Sequence, residues 1–178
     1  MRDRYKIIEK GSVYFITSTI VEWLPVFTSD KYFNVIINSL KYCIDQKSLK
    51  LYAYVILDNH LHMIASALEL GDVMKSVKNY SAKLIINQLK QDHKDWLLNQ
   101  LAYRKKAYKK TSTHQVWQEG VHPVLISSPD IFRQKVEYIH HNPVRRGLID
   151  RPEYWRYGSA RNYIQDDHSI IEVDCTLS

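Results

Sequence analysis

Runs of β-branched and aromatic residues alternate along the chain with stretches whose apolar positions recur every three to four residues. Ser12 to Ile20, SVYFITSTI, is of the first kind and predicts a strand. After a loop through Trp23, Leu24, Pro25 and Val26, the apolar residues Phe33, Ile36, Ile37, Leu40 and Ile44 follow the helical period. Ser29 or Asp30 caps that helix, which runs to about Asp45. Leu49 to Leu57, LKLYAYVIL, is a second strand, and Asp58-Asn59 a tight turn into a third, His60 to Ala67. Gly71-Asp72 opens another helix with Asp72 as its cap. Its apolar stripe is Val73, Val77, Tyr80, Leu84 and Ile85.

Residues 91 to 115 have no clean period and leave room for one short helix. Val121 to Ile126 is short and contains Pro123, which suits an edge strand. Ser128-Pro129 then supplies a cap and a first-turn proline for a helix through IFRQKVEYIHHN. That helix ends near Asn142-Pro143 or soon after, and Gly147 closes the region. The order β-α-β-β-α-linker-β-α is the split β-α-β pattern, so we expect an α+β, ferredoxin-like sandwich with an antiparallel sheet packed against helices. Residues 1–165 are read as one domain and 166–178 as a loosely ordered tail. Such a fold by itself assigns no activity.

Composition narrows the classes. With 178 residues the chain can bury a real core, and five glycines and five prolines argue against a low-complexity chain. No stretch approaches the roughly 18 apolar residues of a membrane helix. The N-terminal apolar run is too short and broken for a signal peptide. Two distant cysteines, Cys43 and Cys175, form no disulfide framework, so a reducing cytoplasm is expected. The net charge of +6 and the thirteen tyrosines suit a polyanionic partner with bases to stack on, and equally suit ordinary packing. The densest positive run, Arg104, Lys105, Lys106, Lys109 and Lys110 interleaved with Tyr103 and Tyr108, is a solvated face or a nucleic-acid contact.

The candidate chemistry lies in LDNHLHMIA, residues 57 to 65. On a strand, His60 and His62 project from one face and Leu61 from the other. Two imidazoles so placed can chelate a divalent ion, but the spacing is served as well by two hydrogen-bonded histidines. On the last helix Tyr138 and Asn142 are i and i+4 and share a face, while Val136 and Ile139 bury other sides. A carboxamide oxygen is an acceptable third ligand for a hard ion. A packed tyrosine with a satisfied hydroxyl is the competing account of Tyr138.

YVILDNHLHMIA, residues 54 to 65, resembles the histidine–hydrophobic–histidine motif of the small single-tyrosine insertion-sequence transposases. EYIHHNPVRRGL, residues 137 to 148, resembles the tyrosine helix of their REP-associated branch. Trp117-Gln118-Glu119-Gly120 upstream and PEYWRYGSARNY, residues 152 to 163, downstream also fit, so the likeness spans roughly residues 5 to 163. Asp58 stands where related chains have proline or glutamate, and Asn142 where the wider family often has glutamine.

The resemblance implies a ferredoxin-like fold and a bacterial enzyme that cleaves and rejoins single-stranded DNA beside hairpins. It implies that Tyr138 is the nucleophile, forming a 5′-phosphotyrosine. His60, His62 and Asn142 would hold magnesium or manganese, with His141 the weaker ligand candidate. Lys75, Lys78, Lys83, Arg104, Lys105, Arg145 and Arg146 become candidate phosphate contacts, and the N-terminal MRDRYK and the tail from Arg151 candidate readers of the hairpin flank. Monomeric and homodimeric forms are both compatible with the family. Two rivals stand beside this: a hairpin-binding module of the same fold without catalysis, and a metal-dependent hydrolase without a covalent tyrosine.

Overall fold

The computed structural model describes residues 7, 9–108 and 112–177. The strands are β1 (Tyr14–Thr19), β2 (Lys50–Ile56), β3 (His60–Ser66) and β4 (His122–Leu125). The helices are α1 (Asp30–Lys47), α2 (Leu70–Gln91), α3 (Asp95–Tyr103), α4 (Pro129–Arg145) and α5 (Ala160–Gln165). The sheet order is β2-β3-β1-β4, and every neighbouring pair is antiparallel. This is the split β-α-β arrangement of a ferredoxin-like sandwich. β4 lies at the edge, where Pro123 opposite Ile16 costs the least pairing.

The sheet is buried on both faces. Ile16, Leu61, Met63 and Ala65 face a core built with Ile36, Ile37 and Leu40 of α1, Val73, Val77 and Ile85 of α2, and Leu97 and Leu101 of α3. Phe15, Val55 and Ile64 face a second cluster with Phe132, Val136 and Ile139 of α4. The alternation of β3 thus sends Leu61 to one layer and puts His60, His62 and Ile64 on the α4 side. A bulge between Leu51 and Ala53 lets Tyr52 and Ala53 both join the α4-side cluster.

Two details of α2 depart from the sequence-based expectation. The helix begins at Leu70 with Glu69 at the cap position, so Asp72 lies in the first turn. Burial of Leu70 against the core draws the start back by a turn. Tyr80 is exposed, and the buried stripe runs through Met74, Ser81 and Leu89 in addition to Val73, Val77 and Ile85. The short helix expected in 91–115 is α3. α4 starts as read, with Ser128 Oγ accepting from the Ile131 amide at 3.2 Å and Pro129 in the first turn. It continues past Pro143 to Arg145.

The segment after α4 covers the outer edge of β2, which would otherwise expose unpaired backbone groups. The Ile56 amide donates to Tyr157 O at 2.9 Å, and the Ser159 amide to Tyr54 O at 2.9 Å. Trp155 Nε1 donates to Ile56 O at 3.0 Å, Tyr163 Oη to Tyr52 O at 2.8 Å, and the Asp174 amide to Leu51 O at 2.8 Å. Gly158 packs closely here: a Cβ would lie 3.3 Å from Trp155 Cδ1, so the indole would have to shift slightly, and in ordinary contact with Tyr54 O at 3.5 Å. In the tail, Ile171 and Val173 are buried against the main core.

Ser159 is fully buried, and its hydroxyl accepts from the Tyr54 amide at 2.9 Å and sits 3.0 Å from His140 Nε2. We expect Ser159→Ala to destabilise the protein by about 1–3 kcal/mol, since the Tyr54 amide and the imidazole lose their buried partner together. Chemical denaturation read by far-UV circular dichroism checks this.

Candidate active site

Three elements bring the candidate chemistry together. β3 supplies His60 and His62, β1 supplies Phe15 and Thr17, and α4 supplies Tyr138 and Asn142. The two imidazoles lie 4.6 Å apart, centroid to centroid, edge to face. Cross-strand pairing sets Thr17 opposite His62 and Thr19 opposite His60. The His62 ring stacks on Phe15 at 5.4 Å, and the Tyr138 ring stands edge-on to His62 at 5.4 Å and to Phe15 at 5.8 Å.

The hydrogen bonds of the imidazoles decide which nitrogens are free. Asn59 Nδ2 donates to Trp23 O at 3.0 Å, which turns Asn59 Oδ1 toward His60 Nδ1 at 2.7 Å. An amide oxygen only accepts, so this network assigns the proton to His60 Nδ1 and the lone pair to Nε2. His62 Nδ1 lies 2.8 Å from Thr17 Oγ1. That hydroxyl can accept from Nδ1–H and leave Nε2 of His62 with its lone pair as well. Neither Nε2 has a hydrogen-bond partner among the described residues.

Both imidazoles are buried and held neutral. Burial, then the nearby Arg146, bring His60 down to about 4 against a smaller opposing effect of Asp58. Burial, then His60, then Lys135 bring His62 down to about 3. Neutral imidazoles are the ligating form.

Asn142 lies one turn beyond Tyr138 and is 8% exposed. No hydrogen bond of its carboxamide is found among the described residues. Among the described residues no group of three or more His, Cys, Asp or Glu side chains converges. A cation beside the two free imidazole nitrogens would therefore need its remaining positions filled by neutral side-chain, water or phosphate oxygens. That mixed, incomplete set fits an exchangeable divalent ion better than a closed structural zinc site.

The chain is similar in sequence and in fold to proteins named as transposases. A protein of Haemophilus influenzae whose name assigns it to the REP-associated tyrosine transposases is 23% identical over 150 residues, covering 84% of this chain and 80% of its own. A solved structure of a REP-associated tyrosine transposase bound to a REP hairpin matches with a TM-score of 0.65 at 18% identity, over 100% of this chain and 95% of that one. No family model matches. The chain is a distant homologue of REP-associated tyrosine transposases.

Tyr138, on α4, is placed differently from the tyrosines of the core. Tyr32, Tyr52 and Tyr54 are almost fully buried, whereas Tyr138 is 38% exposed. Two cations flank its ring: Arg145 at 4.7 Å from the centroid and Lys135 at 5.8 Å. Arg145 Nη2 also donates to Tyr138 O at 2.7 Å. Lys135 went unnoticed in the sequence, although it lies one turn before Tyr138. It sits 4.8 Å over Phe15 as well, and the i, i+3 spacing on α4 is the signal that could have found it.

The remaining basic residues take several positions. Arg146 makes a two-pronged ion pair with Asp58, at 2.7 and 3.3 Å, which ties the end of α4 to the turn leading into His60. Lys75, Lys78 and Lys83 line an open groove of about 1210 Å³ between α2 and residues 112–121. Lys78 Nζ donates to Gln118 O and Gly120 O, each at 2.6 Å, so this lysine holds the WQEG loop. Trp117 of that loop is buried and donates to Ser81 Oγ at 3.0 Å. The Gln118 amide donates to Thr19 O at 2.8 Å, beside the His60 pairing. Arg104 lies over Tyr103 and 3.9 Å from Glu22. Lys105 follows it at the end of α3. Lys109, Lys110 and the N-terminal MRDRYK lie outside the described residues. No described helix is long and apolar enough to cross a membrane.

Proposed function

We propose that this protein is a metal-dependent single-tyrosine transposase or endonuclease that cleaves and rejoins single-stranded DNA beside a hairpin. The observation that carries the reading is the convergence of a half-exposed tyrosine, flanked by cations, with two neutral imidazoles whose Nε2 atoms are free. The distant sequence likeness and the shared fold support it, and the related structure's hairpin suggests the class of DNA.

In this reading Tyr138 Oη attacks the phosphorus of a phosphodiester. The Oη–P bond forms as the P–O3′ bond breaks, giving a 5′-phosphotyrosine and a free 3′-hydroxyl. The tyrosine gives up one proton and the departing oxygen gains one, so the step is proton-neutral overall. The covalent link conserves the phosphodiester energy for the rejoining step. Arg145 and Lys135 stabilise negative charge as it develops on the phenolic oxygen and at the phosphate. Phe15 holds the His62 and Tyr138 rings in fixed relation. Arg146 with Asp58 positions His60 from behind. A magnesium or manganese ion held by His60, His62 and Asn142 would supply Lewis-acid polarisation of a non-bridging phosphate oxygen. Lys75, Lys83 and Arg104 serve phosphate contact farther out, working in a bacterial cytoplasm as a monomer or homodimer.

The test is incubation with end-labelled DNA hairpins taken from palindromes flanking the gene, each carrying single-stranded extensions, with manganese and, in a separate reaction, with a chelator present from the start. We expect a protein–DNA band that survives a denaturing gel when manganese is present and that does not form when the chelator is present from the start. Hairpin binding with no such band would instead identify a binding module of the same fold.

A further inference from the structure

Beside the histidine pair, on the loop between β1 and α1, a large aromatic side chain faces solvent. Trp23 is 56% exposed, although its neighbour Val21 is buried. Its indole stands edge-on to the His60 ring at 5.8 Å, so it forms the rim of the candidate site.

The backbone beneath the indole is unusual. Glu22 and Trp23 both have positive φ, 53° and 57°, in a short 3-10 turn spanning Val21–Trp23. Glycine or asparagine enters this region without strain; a tryptophan does not. The turn is nonetheless held at several points. The Trp23 amide donates to Ile20 O at 3.1 Å, and the Val21 amide to Val116 O at 2.9 Å. Asn59 Nδ2 donates to Trp23 O, while Oδ1 of the same side chain accepts from His60 Nδ1. One carboxamide therefore fixes both the backbone that carries the indole and the imidazole that faces the site.

A strained turn that buries little of its largest side chain contributes poorly to folding. Strain kept at such a place points to a task for the side chain. Stacking energy on an indole is available to any nucleobase, and bases flanking a cleaved phosphate in single-stranded DNA are unpaired and free to stack. The nucleotide next to a phosphate seated at His60 and His62 has to pass this rim.

We propose that Trp23 is a stacking platform for an unpaired nucleobase adjoining the scissile phosphate, and that Asn59 is the positioning residue that keeps this platform in register with His60. The inference rests on the reading of the site as a strand-cleavage centre.

Three probes separate the base from its phosphate: a DNA hairpin with single-stranded extensions, the same hairpin with those nucleotides made abasic, and the blunt hairpin. Affinity is read by fluorescence anisotropy, and stacking by quenching of tryptophan emission. We expect Trp23→Ala to bind the extended hairpin about tenfold more weakly and the blunt hairpin unchanged. The native protein should lose about the same factor on the abasic probe, and Trp23→Ala should lose nothing more there. Trp23→Phe should keep most of the affinity, since a phenyl ring also stacks. An exposed side chain can be removed without unfolding the chain, which the melting curve verifies.

Equal affinity of native protein and Trp23→Ala for the extended probe overturns the proposal, as does an equal loss on the blunt hairpin. A covalent adduct with no base-dependent difference keeps the cleavage reading and removes the stacking role. The base-dependent tenfold ratio without any adduct keeps the stacking role and removes cleavage. Failure of the native protein to bind any probe overturns both.

Discussion

Tyr138→Phe is expected to lower formation of the covalent protein–DNA adduct by more than about a thousandfold, because the only atom removed is the proposed nucleophile. The phenyl ring keeps its edge contacts with His62 and Phe15 and its place beneath Arg145. At 38% exposure the ring leaves no cavity behind, so the fold and the cation environment are retained. Hairpin binding should stay within about threefold of native, as loss of a half-exposed hydroxyl costs little. A denaturing gel reports the adduct and a native gel the binding. An unchanged adduct would show that another residue attacks, and the exposed tyrosines nearest the groove would be the next to replace.

His62→Ala is the second large effect. The imidazole is buried, stacked on Phe15 and anchored by Thr17, so its truncation takes away one proposed ligand and the group that orients Tyr138. We expect manganese affinity, read by titration calorimetry, to fall by at least about a hundredfold, since a direct ligand matters more than the outer-shell partners whose loss costs 10–100-fold. Adduct formation should fall with it. Truncation also opens space beside Phe15, costing stability of about 1–3 kcal/mol. His60→Ala serves as the companion variant, because His60 lies nearer the site's rim by Trp23 and away from the Phe15 stack. Manganese binding unchanged in both variants would remove the histidine pair from the ligand set and leave them as hydrogen-bonded strand residues.

Much of the architecture was readable from local pattern. The period-two runs around Ile16, Val55 and Ile64 and the helical stripes of α1 and α4 each follow from which side of an element must be buried. Ser128-Pro129 marks a helix start because a side-chain acceptor and a missing amide both suit that position. The start of α2 was less legible. Asp72 has the chemistry of a cap, but burial of Leu70 overrides it.

The candidate site divides along the same line. Strand geometry alone places His60 and His62 on one face, and helix geometry alone places Tyr138 and Asn142 on one face, because both rules depend only on residues close in sequence. That the two faces meet is a tertiary fact. It requires α4 to pack on the side of the sheet opposite α1 and α2, through Phe132, Val136 and Ile139 against Phe15, Val55 and Ile64. The same is true of Arg146 on Asp58 rather than open to solvent, and of the Asn59 carboxamide reaching Trp23 O, whereas Lys135 and Arg145 flank the Tyr138 ring through the spacing of α4 alone. Contacts between residues far apart in sequence are set by how the layers close over one another. Local periodicity carries the identity of the chemical groups; only the packed fold decides which of them share a space.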